Sequence, residues 1–255
     1  MDNPITKYHK EDFLWLSYFS VTKKDCITKD EKNSGYPKAL QACISRAYLD
    51  LCRTLRFSIS SSKLEKTKIS DDLKRFKEAK CIFRNTMICY IKTGIENLMN
   101  QKTNCFDKWH KELCINSEGL LVFWKEGIKA AEKELNGDRN LFSKEPTLGQ
   151  AQKWINMSLK NMLVMGLWDN AMSSFTSKMH VVIDSVIINA ANEKFSIQLA
   201  ADNGWSNISN YSAYLNFQMS IRNRCSMKNI TPIEWEWDTW IDNSRKQNEI
   251  YRMLI

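Results

Sequence analysis

The sequence predicts an all-α fold, a multi-helix globular protein, and three observations support this prediction. Apolar residues recur mostly at helical spacing along the 255-residue chain. Only 8 glycines and 4 prolines are present, which is few for an all-β protein with many tight turns. Hydrophobic residues make up 43% of the chain, enough to bury a substantial core. We therefore expect a single helical domain over residues 1–255, with 1–115 and 116–255 as its candidate lobes.

Helical spacing and capping residues predict where the helices lie. Outside the central stretch 147–190, we expect helices over residues 4–19, 38–57, 71–100, 106–114, 117–135, 213–225 and from 232 onwards. Polar segments at 23–37 and 58–70 are the expected loops. Thr231 and Glu234 form the pattern of a capping box at the start of the last helix. The other expected caps are Ser70, Ser117 and the pair Asn136–Gly137.

The charge of the chain favours anionic partners. The formal net charge is +8 and the pI is about 9.0, which suits nucleic acid first and an acidic membrane surface second. A merely basic protein with no such partner is the alternative interpretation. The N-terminal residues are polar, and no apolar run reaches the roughly 20 residues of a membrane span. We therefore expect no membrane association, a cytoplasmic location and no obligatory protein partner.

The eight cysteines do not follow the spacing of a metal site. They are scattered through helical patterns without a CxxC pair, so neither a zinc site nor an iron–sulfur cluster is expected. We expect most of them to be buried as small hydrophobic residues in a reducing compartment. His110 has no second histidine one turn further along its helix, so it does not indicate a metal site either. The sequence predicts no metal and no cofactor.

The stretch 147–190 combines the features with the clearest chemical uses. Gly149 opens a helix, and Lys153 lies one turn inside it. The first N–H groups of a helix bind anions, because they lack intrahelical partners and the helix dipole favours negative charge there. Asp184 stands alone among aliphatic residues in a second apolar run. Because burying a carboxylate without a partner is costly, this aspartate also needs an explanation.

The same residues resemble the helix-hairpin-helix DNA glycosylases of the 8-oxoguanine type. The hairpin of that family reads approximately Leu-Pro-Gly-Val-Gly-x-Lys, and residues 146–153 of this chain read PTLGQAQK. Residues 180–187 read HVVIDSVI and are similar to the segment that carries the family's catalytic aspartate. This chain has Ala151 in place of the second hairpin glycine and Val186 in place of a histidine. The separation of Lys153 from Asp184 exceeds the family's usual length, which implies an insertion around residues 169–178.

The resemblance implies base excision from double-stranded DNA, after the base has been flipped out of the stack. It implies that Lys153 attacks the sugar C1′ as a neutral amine and forms a Schiff base that permits strand cleavage. Asp184 would stabilise the developing positive charge or activate the nucleophile. The residues implied to contact DNA at the turn are Leu148, Gly149, Gln150, Ala151 and Gln152.

A late helix contributes to the base pocket in this family, and the last helix here is rich in tryptophan. Trp235 and Trp237 are therefore candidates for the substrate pocket, and a core position is the alternative for both. His180 is a third candidate, expected to pack near Asp184 and to orient it.

Structural interpretations remain open for both catalytic candidates. Lys153 falls off the apolar face of its helix together with Lys160, which is also typical of a solvated lysine. Asp184 could be a helix cap or one half of a buried ion pair. On another helix, Arg46, Asp50 and Arg53 have the spacing of a surface ion-pair group, and a phosphate-binding face is the alternative.

Through this resemblance, the sequence predicts a DNA glycosylase-like enzyme, and it leaves open whether the enzyme also has lyase activity. Two alternatives stay open. One is a catalytically silent helical DNA-binding protein, and the other is an all-helical interaction module without a nucleic-acid partner.

Overall fold

The computed structural model describes residues 7–22, 37–58, 71–100, 105–115, 119–135, 140–168, 172–200 and 204–254. These residues form an all-helical fold without β-strands, as the sequence predicts. The helices are α1 (Lys7–Phe19), α2 (Pro37–Cys52), α3 (Asp71–Asn100), α4 (Phe106–Ile115), α5 (Leu120–Glu132), α6 (Leu148–Val164), α7 (Ser185–Phe195), α8 (Tyr211–Ser226) and α9 (Pro232–Leu254). Two short 3₁₀ helices span Lys133–Leu135 and Trp205–Asn207.

Most predicted helix boundaries agree with these ranges. The capping box of α9 is present, because Glu234 N donates to Thr231 Oγ1 at 3.2 Å and Thr231 N donates to Glu234 Oε2 at 2.7 Å. Helix α2 ends at Cys52 rather than at residue 57. A turn follows Cys52, in which Thr54 N donates to Leu51 O at 2.8 Å. The predicted caps Ser70, Ser117 and Asn136–Gly137 lie outside the described residues.

Helix α6 is the central helix of the fold. Its predicted apolar face is at most 1% exposed, and it consists of Ala151, Ile155, Leu159 and Met162. Polar side chains of the same helix are buried as well, namely Gln150, Gln152, Asn156, Ser158 and Asn161. The contact of α6 with α2 is the most extensive between any two elements described, and Trp154 Nε1 donates to Ile44 O at 3.0 Å across it. A helix enclosed in this way places even its polar positions in low-dielectric surroundings.

Apart from Leu73, the buried apolar residues of the described ranges form one cluster. The cluster draws on both candidate lobes, because α2 belongs to 1–115 and α6 to 116–255. This arrangement is what a single helical core produces.

The second apolar run of the central stretch is helical only from Ser185 onwards. Val181, Val182 and Ile183 lie before the helix in a buried non-helical segment. The amide of Gln218 binds both backbone groups of Val181, each at 2.9 Å, so this segment has side-chain partners instead of helical ones. Asp184 therefore stands at the junction between the buried segment and α7.

The prediction that most cysteines are buried is wrong for the residues described. Cys43, Cys114 and Cys225 are buried, and the remaining described cysteines are partly or fully exposed (Cys52, Cys81, Cys89 and Cys105). Apolar spacing does not separate a buried cysteine from an exposed one, because cysteine is small enough for either face. Within the described ranges, none of the helices combines the length and apolar composition of a membrane span.

Candidate functional site

The structure brings Lys153 and Asp184 together. Lys153 Nζ lies 3.9 Å from Asp184 Oδ2, and the two side chains are 13% and 10% exposed. The interpretation of Lys153 as a solvated lysine is therefore wrong, because the enclosed position of α6 buries its polar face too. For Asp184, both structural interpretations hold at once, since it caps a helix and forms a largely buried ion pair.

Helix ends position both side chains. Thr147 and Gln150 form a capping box at the start of α6, which fixes the helix turn that precedes Lys153. Asp184 is the N-cap of α7, and its Oδ1 accepts a hydrogen bond from Ile187 N at 3.1 Å. This bond leaves the other carboxylate oxygen, Oδ2, facing Lys153.

A tryptophan completes the site. Lys153 Nζ lies 4.4 Å from the centroid of the Trp205 ring, within the range of a cation–π interaction. The Trp205 segment is fastened to the start of α6, because Gly149 N donates to Ile208 O at 3.0 Å and Thr147 Oγ1 donates to Ser206 O at 2.6 Å. The sequence analysis missed Trp205. Its position directly after a glycine in a polar stretch was a visible signal, but nothing in the sequence linked it to Lys153.

Burial shifts the pKa values of Lys153 and Asp184 towards their neutral forms. Burial lowers the pKa of Lys153, and the nearby carboxylate of Asp184 opposes this effect. Burial likewise raises the pKa of Asp184, against the hydrogen bond from Ile187 N and the charge of Lys153. Both shifts favour the neutral forms, so less free energy separates the ion pair from a neutral amine beside a carboxylic acid.

A second ion pair lies close to the first. Glu236 of α9 is fully buried, accepts a hydrogen bond from Lys160 Nζ, and accepts another from Val182 N at 3.0 Å. Burial raises the pKa of Glu236, and the charge of Asp184 contributes in the same direction. Lys160 is 13% exposed, so the prediction that it lies on a solvated face is wrong.

The residues expected to contact DNA at the turn are buried. All five residues are buried, and Leu148, Gln150, Ala151 and Gln152 are 0–7% exposed. The first N–H groups of α6 already have partners, since Gly149 N binds Ile208 O, Gln150 N binds Thr147 Oγ1 and Ala151 N binds Thr147 O. Direct phosphate binding by these five residues therefore does not agree with the structure.

Their role in the structure is to anchor neighbouring segments. Gln150 Nε2 donates to Thr54 O at 3.0 Å, and Gln152 Nε2 donates to Gly149 O and Ile183 O. Gly149 has no room for a side chain, because a Cβ there would overlap the carbonyl oxygen of Trp205. The glycine is required by this close backbone contact.

The three pocket candidates do not converge on the central pair. Trp235 is 4% exposed and packs against the ring of Phe195 at 5.3 Å, whereas Trp237 is 36% exposed. His180 is buried, and its ring nitrogens lie 2.8 Å from Tyr214 Oη and 2.8 Å from Asp107 Oδ1. With both nitrogens engaged there, His180 does not orient Asp184 as expected.

His180 belongs instead to a buried polar network. His110 contacts Tyr211 Oη at 2.9 Å and Asn156 Oδ1 at 3.0 Å, and Asn156 Nδ2 in turn donates to the Tyr214 hydroxyl at 3.0 Å. Burial lowers the pKa of both histidines. Among the described residues, no group of three or more histidines, cysteines and carboxylates is arranged to hold a metal ion.

The predicted ion-pair group on α2 is confirmed. Arg46 and Arg53 lie 3.6 Å and 3.9 Å from Asp50. The charges of Asp50 and Arg53 also act on Lys153, which places this end of α2 beside the site.

Comparison of the chain with protein-family models, with curated proteins and with solved structures found no match. The resemblance to DNA glycosylases stays a prediction from the sequence.

Proposed function

We propose that the chain is a DNA glycosylase with lyase activity, with Lys153 as nucleophile and Asp184 as its partner. The observation that carries the proposal is the approach of Lys153 Nζ to Asp184 Oδ2 at 3.9 Å in largely buried surroundings. The two residues are far apart in the sequence, and both stand where the resemblance implies catalytic residues. Double-stranded DNA is the proposed substrate, in keeping with the net charge of +8.

The chemistry requires a neutral amine. The lowered pKa of Lys153 increases the fraction of free amine at neutral pH. Asp184, whose pKa burial raises, is placed to accept the proton that Lys153 releases. If Asp184 instead stays ionised, its carboxylate stabilises the positive charge that develops at the sugar C1′ as the glycosidic bond breaks.

The proposed step forms one bond and breaks one bond at C1′. The Lys153 amine bonds to C1′ while the bond from C1′ to the base breaks, and the bonding electrons leave with the base, which takes up a proton. Opening of the sugar ring then gives a Schiff base between Lys153 and C1′, and the ring oxygen accepts a proton from the amine. The lyase reaction is a β-elimination from this intermediate: C2′ loses a proton to a base, a C2′–C3′ double bond forms, and the C3′–O bond breaks with its electrons leaving on the 3′ phosphate.

A catalytically silent DNA-binding protein is the second candidate. The observation that favours it is the burial of the pair, because a structural ion pair needs no access to substrate. An interaction module without nucleic acid is distinguished from both by its failure to bind duplex DNA with steep salt dependence.

Borohydride trapping tests the proposed function. The protein is incubated with duplexes that carry an abasic site or altered bases, and borohydride reduces any Schiff base to a stable adduct. We expect a covalent adduct with the native protein and its loss in Lys153→Gln. Lys125→Gln is the matched control, because Lys125 is an exposed lysine whose side chain is 57% accessible.

Each result has a definite meaning. An adduct that survives in Lys153→Gln refutes Lys153 as the nucleophile. Without an adduct, but with base release that Asp184→Asn abolishes, the enzyme is a glycosylase that uses water. With neither adduct nor base release on any duplex of the panel, the proposed enzymatic function is wrong.

A further inference from the structure

The exposed surface beside the central pair carries a group of cationic side chains, which we call the basic rim (Arg53, Arg56, Lys80 and Lys144). Arg53, Arg56 and Lys144 are exposed and Lys80 is half-buried. They come from the turn after α2, from α3, and from the loop before α6.

Hydrogen bonds hold the rim segments against the site. The turn after α2 is tied to α6 by Gln150, whose Nε2 donates to Thr54 O at 3.0 Å. Ser143 N donates to Arg56 O at 2.7 Å, which joins that turn to the loop that carries Lys144. Lys144 Nζ donates to Asn207 Oδ1 at 2.7 Å, in the same 3₁₀ helix as Trp205. The rim therefore borders the segment that covers Lys153.

Positive charge on the rim exceeds the nearby negative charge. Asp50 is shared by Arg46 and Arg53, and the Arg53 side chain is still 79% exposed. Within the ranges described, Arg56, Lys80 and Lys144 form no ion pair, and Glu145 pairs with Lys125 instead. Lys80 Nζ lies 4.0 Å from the centroid of the Phe57 ring, which fixes its position without neutralising it.

We propose that the basic rim binds the phosphate backbone of duplex DNA on the strand presented to Lys153. The inference rests on the proposed function, which makes DNA the substrate. The excess positive charge of the rim then indicates where the DNA backbone lies. It assigns phosphate binding to side chains of the rim, whereas the buried hairpin residues Gly149 and Gln150 only hold the rim segments in place. Exposed arginine and lysine side chains of this kind bind phosphates by releasing counterions.

Salt-dependent binding tests the rim. The probe is a fluorescently labelled duplex with a tetrahydrofuran abasic analogue, and anisotropy gives the affinity between about 50 and 200 mM salt. Each phosphate contact contributes about 0.9 to the slope of log affinity against log salt. For Arg53→Gln/Arg56→Gln we expect the slope to fall by about 1.8, so that the loss of affinity over this salt range is about 12-fold smaller than for the native protein.

A matched variant controls for net charge. Arg245→Gln/Lys246→Gln removes the same charge from exposed positions of α9 and should leave the slope unchanged. A second rim pair, Lys80→Gln/Lys144→Gln, should reproduce the effect if the first variant folds poorly, as judged by its unfolding midpoint.

The outcomes separate the rim from the proposed function. Equal slopes for the rim variants and the α9 control overturn the rim, even if borohydride trapping succeeds. A smaller slope in the rim variants supports the rim, even if no adduct forms. Failure of the native protein to bind the duplex overturns the rim, and binding to anionic vesicles instead would assign the surface to membranes.

Discussion

Lys160→Met should leave an uncompensated charge in the core. Glu236 is fully buried, and its carboxylate accepts hydrogen bonds from Lys160 Nζ and Val182 N. Removing one partner of a buried ion pair typically costs about 3–5 kcal/mol, because the remaining charge is neither solvated nor paired. For a chain of this size, that corresponds to a fall of roughly 6–20 °C in the unfolding midpoint.

The effect should depend on pH. Burial raises the pKa of Glu236 above its unfolded value, so the folded state holds a proton that the unfolded state has lost, and stability falls as pH rises through that interval. Loss of Lys160 raises this pKa further and widens the interval. Urea unfolding should therefore show a smaller destabilisation by Lys160→Met near pH 5, where the carboxyl is more protonated, than near pH 8.

A double-mutant cycle completes the test. Glu236→Gln keeps an oxygen for Val182 N but carries no charge, so Lys160→Met/Glu236→Gln should be more stable than Lys160→Met alone. The reasoning is refuted if Lys160→Met costs less than about 1 kcal/mol at pH 8. It is also refuted if the two substitutions are additive.

Three further predictions concern single positions. Gly149→Ala should destabilise the fold by about 1–3 kcal/mol in urea unfolding, because the added methyl group meets the backbone of the Trp205 segment. Gly127→Ala is its control and should be near neutral in the same measurement, because its methyl group meets only the flexible end of Met87. The yield of the trapped adduct should rise with pH and level off at a lower pH than for an exposed lysine amine, because burial lowers the pKa of Lys153 and only its neutral amine reacts; a yield that falls with pH contradicts this. Burial alone would raise the pKa of Asp107, but hydrogen bonds from His180 and Arg222 outweigh it and lower the pKa. Asp107→Asn should therefore cost about 1–3 kcal/mol at pH 7 and progressively less as pH falls below about 4, where the native carboxylate loses its stabilising contribution, as unfolding at both pH values would show.

The helices were predictable because their signals are local. The range 71–100 agrees with α3, and the pattern of Thr231 and Glu234 agrees with the start of α9. The capping box of Thr147 and Gln150 was equally readable from the sequence, since it follows the same rule. The end of α2 was not predicted, because the turn at Thr54 is held by Gln150 from a distant part of the chain.

The resemblance named Lys153 and Asp184 as catalytic residues, but whether the two side chains meet could not be read from the sequence; the structure shows that they do. Apolar spacing gave Lys153 a solvated position, since it assumes that the polar face of a helix meets water. In α6 that face is itself buried, and its polar side chains find partners inside the protein, since Asn156 Nδ2 donates to Gln152 Oε1 at 3.0 Å. The contacts of Glu236 and Trp205 could likewise not be predicted from the sequence, because their partners lie on other helices and loops.

The docking of α2 against α6 has a consequence for how the chain reaches its final state. The bonds from Gln150 to Thr54 and from Trp154 to Ile44 join residues 96 and 110 positions apart, so they close long loops and form late compared with the helices themselves. Until they form, we expect Lys153 to be more exposed to solvent than in the native protein. Brief acylation with an amine-selective reagent during refolding, followed by peptide mass analysis, would then mark Lys153 in incompletely assembled molecules and spare it in the native ones. The extent of acylation at Lys153 would thus report how far the core has assembled at each refolding time.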